Sequence, residues 1–246
     1  MKKLPVILAV DTKDELIADQ LISLVSNKID HIKLGLEFYL KNGADSVARL
    51  QQKHQFELFL DLKLHDIPNT VANAVESVAK LNPKFLTVHA QGGAQMIKAA
   101  AEKLPNGKIT AVTVLTSLSD TEFTELGYEK SISTISLKLA DIAAGAGAKA
   151  IVCSPLEVSE IAKQNPNLVR ITPGVRLQSD QKGDQVRTMT PKAALQNGAN
   201  FLVIGRPITS LFNQSNAGES KDLIDRDRKS TRLNSSHTDI SRMPSS

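Results

Sequence analysis

Asp61, Lys63 and Asp66 follow one another in Asp61-Leu62-Lys63-Leu64-His65-Asp66-Ile67-Pro68-Asn69-Thr70, directly after the apolar run Phe56 to Leu60. A buried strand alternates its side chains, so Asp61 and Lys63 share one face and Leu62 takes the other. Lys33, at the end of another apolar run, is a further cation of this kind. A line of Lys33, Asp61, Lys63 and Asp66 keeps each lysine protonated and each acid ionised at neutral pH, because every charge favours the charged form of its neighbour. A fixed ammonium can deliver a proton. A fixed carboxylate beside it can repel an anionic substrate group while the ammonium stabilises carbanion charge. The same residues also suit a purely structural ladder of ion pairs, and spacing alone leaves both readings open.

The elements that must hold these groups alternate between apolar, β-branched runs and amphipathic segments. Strands are expected at Val6–Val10, His31–Leu34, Phe56–Leu62, Phe85–Val88, Ile109–Leu115, Ala150–Cys153, Leu168–Ile171 and Phe201–Ile204. Helical patterns run over Glu15–Ser26, Ala44–Lys53, Thr70–Leu81, Ala94–Lys103, Ile132–Ala146 and Leu156–Asn165, and Pro68 suits a first helical turn. Strands alternating with helices imply right-handed βαβ units and a parallel sheet. Eight repeats favour a closed (β/α)8 TIM barrel in one domain, and the turn after the first strand, Asp11-Thr12-Lys13-Asp14, lacks the glycines of a doubly wound nucleotide fold. Asn42-Gly43, Asn106-Gly107, Gly145–Gly147 and Asn197-Gly198 are expected to cap helices in the left-handed conformation.

In such a barrel the C-terminal strand ends converge on one rim, where active sites are built. In chain order those ends carry Asp11, Lys33, Asp61 with Lys63, His89, Thr116 with Ser117, Ser154, Thr172-Pro173-Gly174 and Gly205-Arg206. Gly205 permits close backbone approach, the helix start after it offers N–H groups, and Arg206 adds a forked donor, together a phosphate site. His89 reads as a hydrogen-bonded structural residue and Cys153 as a small core residue.

The 246 residues contain one cysteine, which excludes an intrachain disulfide and a Cys-based zinc cage and fits a reducing, cytoplasmic setting. No His/Asp/Glu group has metal-ligand spacing. The run Val6–Val10 is too short for a membrane span and ends in Asp11, so neither a signal peptide nor a membrane segment is expected. The net charge of +4 and pI near 9.1 do not signal nucleic acid, because Lys and Arg are scattered and there is no Trp. Residues 227 to 246 hold four basic residues against two aspartates, half of that excess.

Two segments break the pattern. Arg176 to Met189 is a long polar loop with a central Gly183, the composition of a lid. The last twenty residues contain six serines and only Leu233, Ile240 and Met243 as apolar residues, too little to offset the entropy of ordering them. The expected organisation is therefore a barrel over 1–212, a degenerate closing helix over 213–226, and a disordered, non-native tail over 227–246.

Asp-x-Lys-x-x-Asp followed by Ile-Pro-Asn-Thr resembles the signature of the orotidine 5′-phosphate decarboxylase family, of the bacterial type. Leu8-Ala9-Val10-Asp11, Ile32-Lys33-Leu34-Gly35, Val88-His89-Ala90, Val114-Leu115-Thr116-Ser117, Thr172-Pro173-Gly174-Val175-Arg176 and Val203-Ile204-Gly205-Arg206-Pro207-Ile208 resemble its other rim segments in order, from residue 4 to about 210. The resemblance implies cofactor-free decarboxylation of orotidine 5′-monophosphate to uridine 5′-monophosphate, the last step of pyrimidine synthesis. It implies that Lys63 donates the proton to C6, that Asp61 lies against the reacting carboxylate, and that Lys33 and Asp11 engage the ribose. It implies a homodimer in which Asp66 and Thr70 reach the neighbouring site, Thr116 and Ser117 at the nucleotide and pyrimidine edge, and Arg176, Gln185, Gly205 and Arg206 at the phosphate. A magnesium-dependent sugar-phosphate decarboxylase or aldol-type synthase shares the Asp-x-Lys-x-x-Asp strand, but Ile67–Thr70 and Thr116-Ser117 argue against it. A catalytically silent, nucleotide-sensing barrel is the alternative outside enzymology. After Thr209 the chain departs from the family, whose closing helix is Pro-initiated and Ala-rich.

Overall fold

A closed ring of eight parallel strands, β1 to β8 in chain order, positions the charged residues. The structure is a computed structural model and describes residues 3–175, 189–205 and 208–209. Its strands are β1 (Val6–Val10), β2 (His31–Gly35), β3 (Glu57–Leu64), β4 (Phe85–His89), β5 (Lys108–Val112), β6 (Ala150–Val152), β7 (Val169–Thr172) and β8 (Phe201–Ile204). The described helices are α1 (Glu15–Val25), α2 (Leu36–His54), α3 (Pro68–Ala79), α4 (Gly93–Glu102), α5 (Asp120–Glu125), α6 (Ile132–Gly145), α7 (Val158–Gln164) and α8 (Pro191–Gln196). The ring closes where Val6 and Leu8 of β1 register with Leu202 and Ile204 of β8.

Both faces of each strand are covered, which is why β1 is buried along its whole length and shows no polar alternation. Its alternation appears in the packing. Val6, Leu8 and Val10 join the large core between strands and helices, whereas Ile7 joins Phe59, Phe85, Ala150 and Ile171 inside the barrel. Phe85 meets both Phe59 and Phe201 edge-on with ring centroids 5.8 Å apart, an arrangement that suits the quadrupoles of the rings. This apolar plug fills the lower barrel and leaves the C-terminal strand ends to the polar groups.

Several boundaries differ from the sequence expectation. An unexpected helical stretch begins α2 at Leu36, and Gly43, at φ 73° and ψ −176°, takes the expected positive φ but joins that stretch to the helix expected over 44–53 and does not precede a strand. The left-handed cap of α2 is Gln55, at φ 58°. Gly147 and Gly198 do take positive φ, at 96° and 101°. Gly107 does not; it is small because an added Cβ would lie 2.4 Å from the carbonyl oxygen of Pro83. Strand β5 stops at Val112, earlier than expected, and α5 is an additional short helix opened by a Ser119–Glu122 capping box. Residues 176–188 of the expected lid, Arg206 and the segments 213–226 and 227–246 lie outside the described residues. Among the described residues no helix is long and apolar enough to cross a membrane.

Candidate active site

The most consequential irregularity of the sheet lies in β3. Leu60 registers with Leu86 of β4, but the next pair is Leu64 with Val88, so Asp61, Leu62 and Lys63 bulge opposite the single residue Thr87. Bulges re-aim side chains and recur beside active sites. Here Lys63 takes φ 48°, one of three described non-glycine residues with positive φ. Its side chain then folds back over Asp61, with Nζ 2.9 Å from Oδ1 and 2.8 Å from Oδ2. Simple strand alternation correctly places the two groups on one face, and the bulge supplies the short distance.

Lys33, on the inward face of β2, extends the row. Its Nζ lies 3.5 Å from Oδ2 of Asp61 and 3.0 Å from Oδ1 of Asp11. The line within one chain is therefore Asp11, Lys33, Asp61, Lys63, and its outer acid is Asp11, where spacing suggested Asp66. Asp66 is exposed beyond the end of β3, and its Oδ1 accepts the backbone N–H of Ile67. The turn from Leu64 to Pro68 carries it away from the pocket floor.

Burial alone would raise the Asp61 carboxyl, but Lys33 and Lys63, with hydrogen bonds from Lys63 and Thr87, outweigh it and hold the group below its ordinary range. Burial likewise opposes the charge on Lys33, yet Asp61 and Asp11 overcome it and raise its pKa. Each of these buried charges is the other's main support. Buried pairs hold their charges only when every member is satisfied. Asp61 meets that condition with its two lysines and the hydroxyl of Thr87, which donates to Oδ1 at 2.9 Å. Sequence reasoning missed Thr87, because a threonine inside a strand carries no signal beyond β propensity.

Asp11, Lys33, Asp61, Lys63, Thr116 and Gly205 line one cavity of about 240 Å³ at the C-terminal end of the barrel. Pro173 and Gly174 also line it. Gly205 leaves room for the row: an added Cβ would sit 3.1 Å from Oδ2 of Asp11 and 3.2 Å from Cβ of Ala9, so one of them would have to give way slightly. The amides of Ile208 and Thr209, expected to be free for a phosphate, donate to the carbonyl oxygen of Gly205. Ser117 and Thr70 are exposed and outside the cavity lining, and Arg176, Gln185 and Arg206 lie outside the described residues.

Other strand-end residues have local roles. Ser154 accepts the N–H of Leu156 and shapes the turn after β6. Cys153 is fully buried in the core. His89 differs from expectation: its Nδ1 is buried without a hydrogen-bond partner among the described residues, and its ring lies 5.4 Å from that of His65. Burial, then the neighbouring His65 and Lys63, lower its pKa and so favour the neutral ring. Among the described residues no three His, Cys, Asp or Glu side chains converge as a metal site.

Residues 4–220 match the model of the orotidine 5′-phosphate decarboxylase / HUMPS family. The chain belongs to this family. An orotidine 5′-phosphate decarboxylase of Thermobifida fusca is 47% identical over 206 residues, covering 83% of this chain and 88% of that protein. Another from Wolbachia of Brugia malayi is 41% identical over 218 residues, covering 87% and 96%. The crystal structure of the Lactobacillus acidophilus orotidine 5′-phosphate decarboxylase superposes with a TM-score of 0.77 at 35% identity, covering 92% of this chain and 98% of that one. Membership in the orotidine 5′-phosphate decarboxylase / HUMPS family thus spans the whole barrel, and residues 221–246 lie beyond the match.

Proposed function

We propose that this protein decarboxylates orotidine 5′-monophosphate to uridine 5′-monophosphate and carbon dioxide in pyrimidine synthesis, without a cofactor. The observation that carries the reading is the Lys63 ammonium held within 2.9 Å of a buried carboxylate at the floor of the rim cavity, in a chain of this family. Loss of carbon dioxide leaves the C–C bonding pair on C6 of the pyrimidine, in an orbital the ring cannot delocalise. Stabilisation must then be electrostatic, and a preorganised ammonium supplies it without reorganisation at the moment of reaction. Lys63 Nζ passes a proton to C6 and recovers one from solvent. Asp61, held ionised, crowds the substrate carboxylate and relaxes when it departs.

Around this centre, Lys33 and Asp11 take the ribose hydroxyls, Thr116 and Ser117 the pyrimidine edge, and Arg176, Gln185, Gly205 and Arg206 the phosphate. The partner is a second copy of the chain. Leu36 and Leu40, four residues apart on one face of α2, are exposed, as is Ile67 beside Asp66, and such apolar surface supports a contact that would carry Asp66 and Thr70 to the neighbouring cavity. We assign the catalytic unit to the barrel over 1–212, read 213–226 as a degenerate closing helix and 227–246 as foreign to it, and place the enzyme in the cytoplasm.

Following the loss of orotidine 5′-monophosphate absorbance with purified protein, with and without a metal chelator, tests the assignment. Equal turnover in both arms is expected. Absence of turnover removes the decarboxylase reading, and loss with chelator alone favours the magnesium-dependent relatives.

A further inference from the structure

A single hydroxyl ties together the backbone of the proton donor and the carboxylate beside it. Oγ1 of Thr87, fully buried in the middle of β4, accepts the backbone N–H of Lys63 at 2.8 Å and donates to Oδ1 of Asp61 at 2.9 Å. Lys63 Nζ closes the ring on the same Oδ1. Because Oγ1 accepts a hydrogen bond from an amide, which can only donate, and faces an ionised carboxylate, which can only accept, its own proton points to the carboxylate and both roles of the hydroxyl are fixed.

The register explains why one residue can do this. Three residues of β3 stand opposite Thr87 alone, so the ladder cannot pair the amide of Lys63, and a side-chain acceptor takes its place. Lys63 also sits at φ 48°, where an L-residue is strained, and such a conformation persists only when its surroundings hold it. The described contacts of the Lys63 amide and ammonium run to Thr87 and Asp61 respectively.

We propose that Thr87 is a positioning residue for the decarboxylation, its hydroxyl clamping the bulge so that the Lys63 ammonium and the Asp61 carboxylate stay in their reactive arrangement. This rests on the decarboxylase reading and extends it to a residue that touches no substrate. Thr87 lies beneath the charged row and is absent from the cavity lining. Its removal would therefore act on turnover and leave substrate affinity largely in place. It would also withdraw one support from the ionised form of Asp61, whose charged neighbours are Lys33 on β2, with Asp11 beyond it, and Lys63 on β3; the remaining titratable group facing it is His89 at the end of β4, whose pKa is lowered by burial.

The test compares Thr87→Val, which keeps the shape and deletes the hydroxyl, with Thr87→Ser, which keeps the hydroxyl. For Thr87→Val we expect kcat to fall about 10- to 100-fold, as displaced reacting groups do, with KM within about twofold and the acidic limb of kcat/KM moved to higher pH. Thr87→Ser is expected to restore kcat and the limb together. Wild-type kcat and an unmoved limb in a folded Thr87→Val protein would overturn the proposal, as would a loss that serine does not rescue. Should valine not fold, Thr87→Cys against Thr87→Ser makes the same comparison, since a thiol is a weak donor and acceptor in the same shape. A carboxyl 13C titration of Asp61 in these variants needs no turnover. A wild-type protein that binds uridine 5′-monophosphate but releases no carbon dioxide would sink the decarboxylase reading, while the Asp61 titration would still decide the clamp.

Discussion

Lys63 places its ammonium 2.9 and 2.8 Å from the two oxygens of Asp61 while its own backbone stays at φ 48°. The left-handed region costs an L-residue roughly 1–2 kcal/mol. A lysine kept there in spite of that expense has a side chain whose aim matters. Lys63→Ala should reduce turnover by at least about 10³-fold, the scale of losing a proton donor and an electrostatic stabiliser together. Binding of uridine 5′-monophosphate, measured by calorimetry, should weaken far less. Residual turnover within about tenfold of wild type would assign the proton to another group.

The coupled row makes stability depend on acid. Asp61 titrates below its ordinary 3.8, so its contribution is full above that value and is lost as pH falls through the lower folded one. Urea midpoints measured from pH 7 down to pH 3 should therefore drop more steeply for the wild type than for Asp61→Asn, which has no carboxyl to protonate. Parallel curves would mean that the carboxyl carries no net stabilisation.

The ring of strands was legible because each strand is a short apolar run followed by a helical pattern, and the periods 2 and 3.6 differ enough to separate them. The charged row at their tips was legible because Asp and Lys rarely follow a buried run without cause. What stayed hidden depends on registers that no single segment encodes. The bulge at Asp61–Lys63 arises from pairing with β4, and Thr87 gains its role only through that pairing. Asp11 and Asp66 are equally plausible acids in sequence, and only the turn after Leu64 separates them. Gly43 reads as a left-handed cap before a strand; it does take positive φ, but it joins two helical stretches, and Leu50 and Val47 beyond it pack into the same core as Phe38 before it.

Gly205 offers a sharper test of that geometry. With a Cβ placed 3.1 Å from Oδ2 of Asp11 and 3.2 Å from Ala9, Gly205→Ala forces the exposed Asp11 carboxylate to move and leaves the Lys63–Asp61 pair, on the opposite end of the row, in place. KM should rise about 5- to 20-fold, with kcat changed less, as expected when ground-state and transition-state binding are lost together. A fall in kcat at constant KM would show that Asp11 acts on the chemistry itself.

Replacing Arg206 tests whether phosphate binding can be separated from catalysis. If binding of the remote phosphate drives the chemistry, Arg206→Ala should lower kcat/KM for orotidine 5′-monophosphate by about 10²-fold or more while leaving the slow reaction of orotidine unchanged. Equal losses on both substrates would take Arg206 away from the phosphate.

The proposed role of Asp66 requires a second chain, since its own fold leaves it exposed and outside the cavity that holds Lys63. In a two-fold dimer that exchanges Asp66, each site combines Lys63 from one protomer with Asp66 from the other. Lys63→Ala and Asp66→Ala homodimers should each be nearly inactive. A hybrid of the two has one site lacking both groups and one site with both intact. Random exchange yields hybrids as half of all dimers, so mixing the inactive variants should restore about a quarter of wild-type activity. If Asp66 instead served its own chain, every site in every dimer would lack one group, and mixing would restore nothing. Activity assays on subunits exchanged in mild denaturant, with sedimentation confirming the dimer, distinguish the two arrangements.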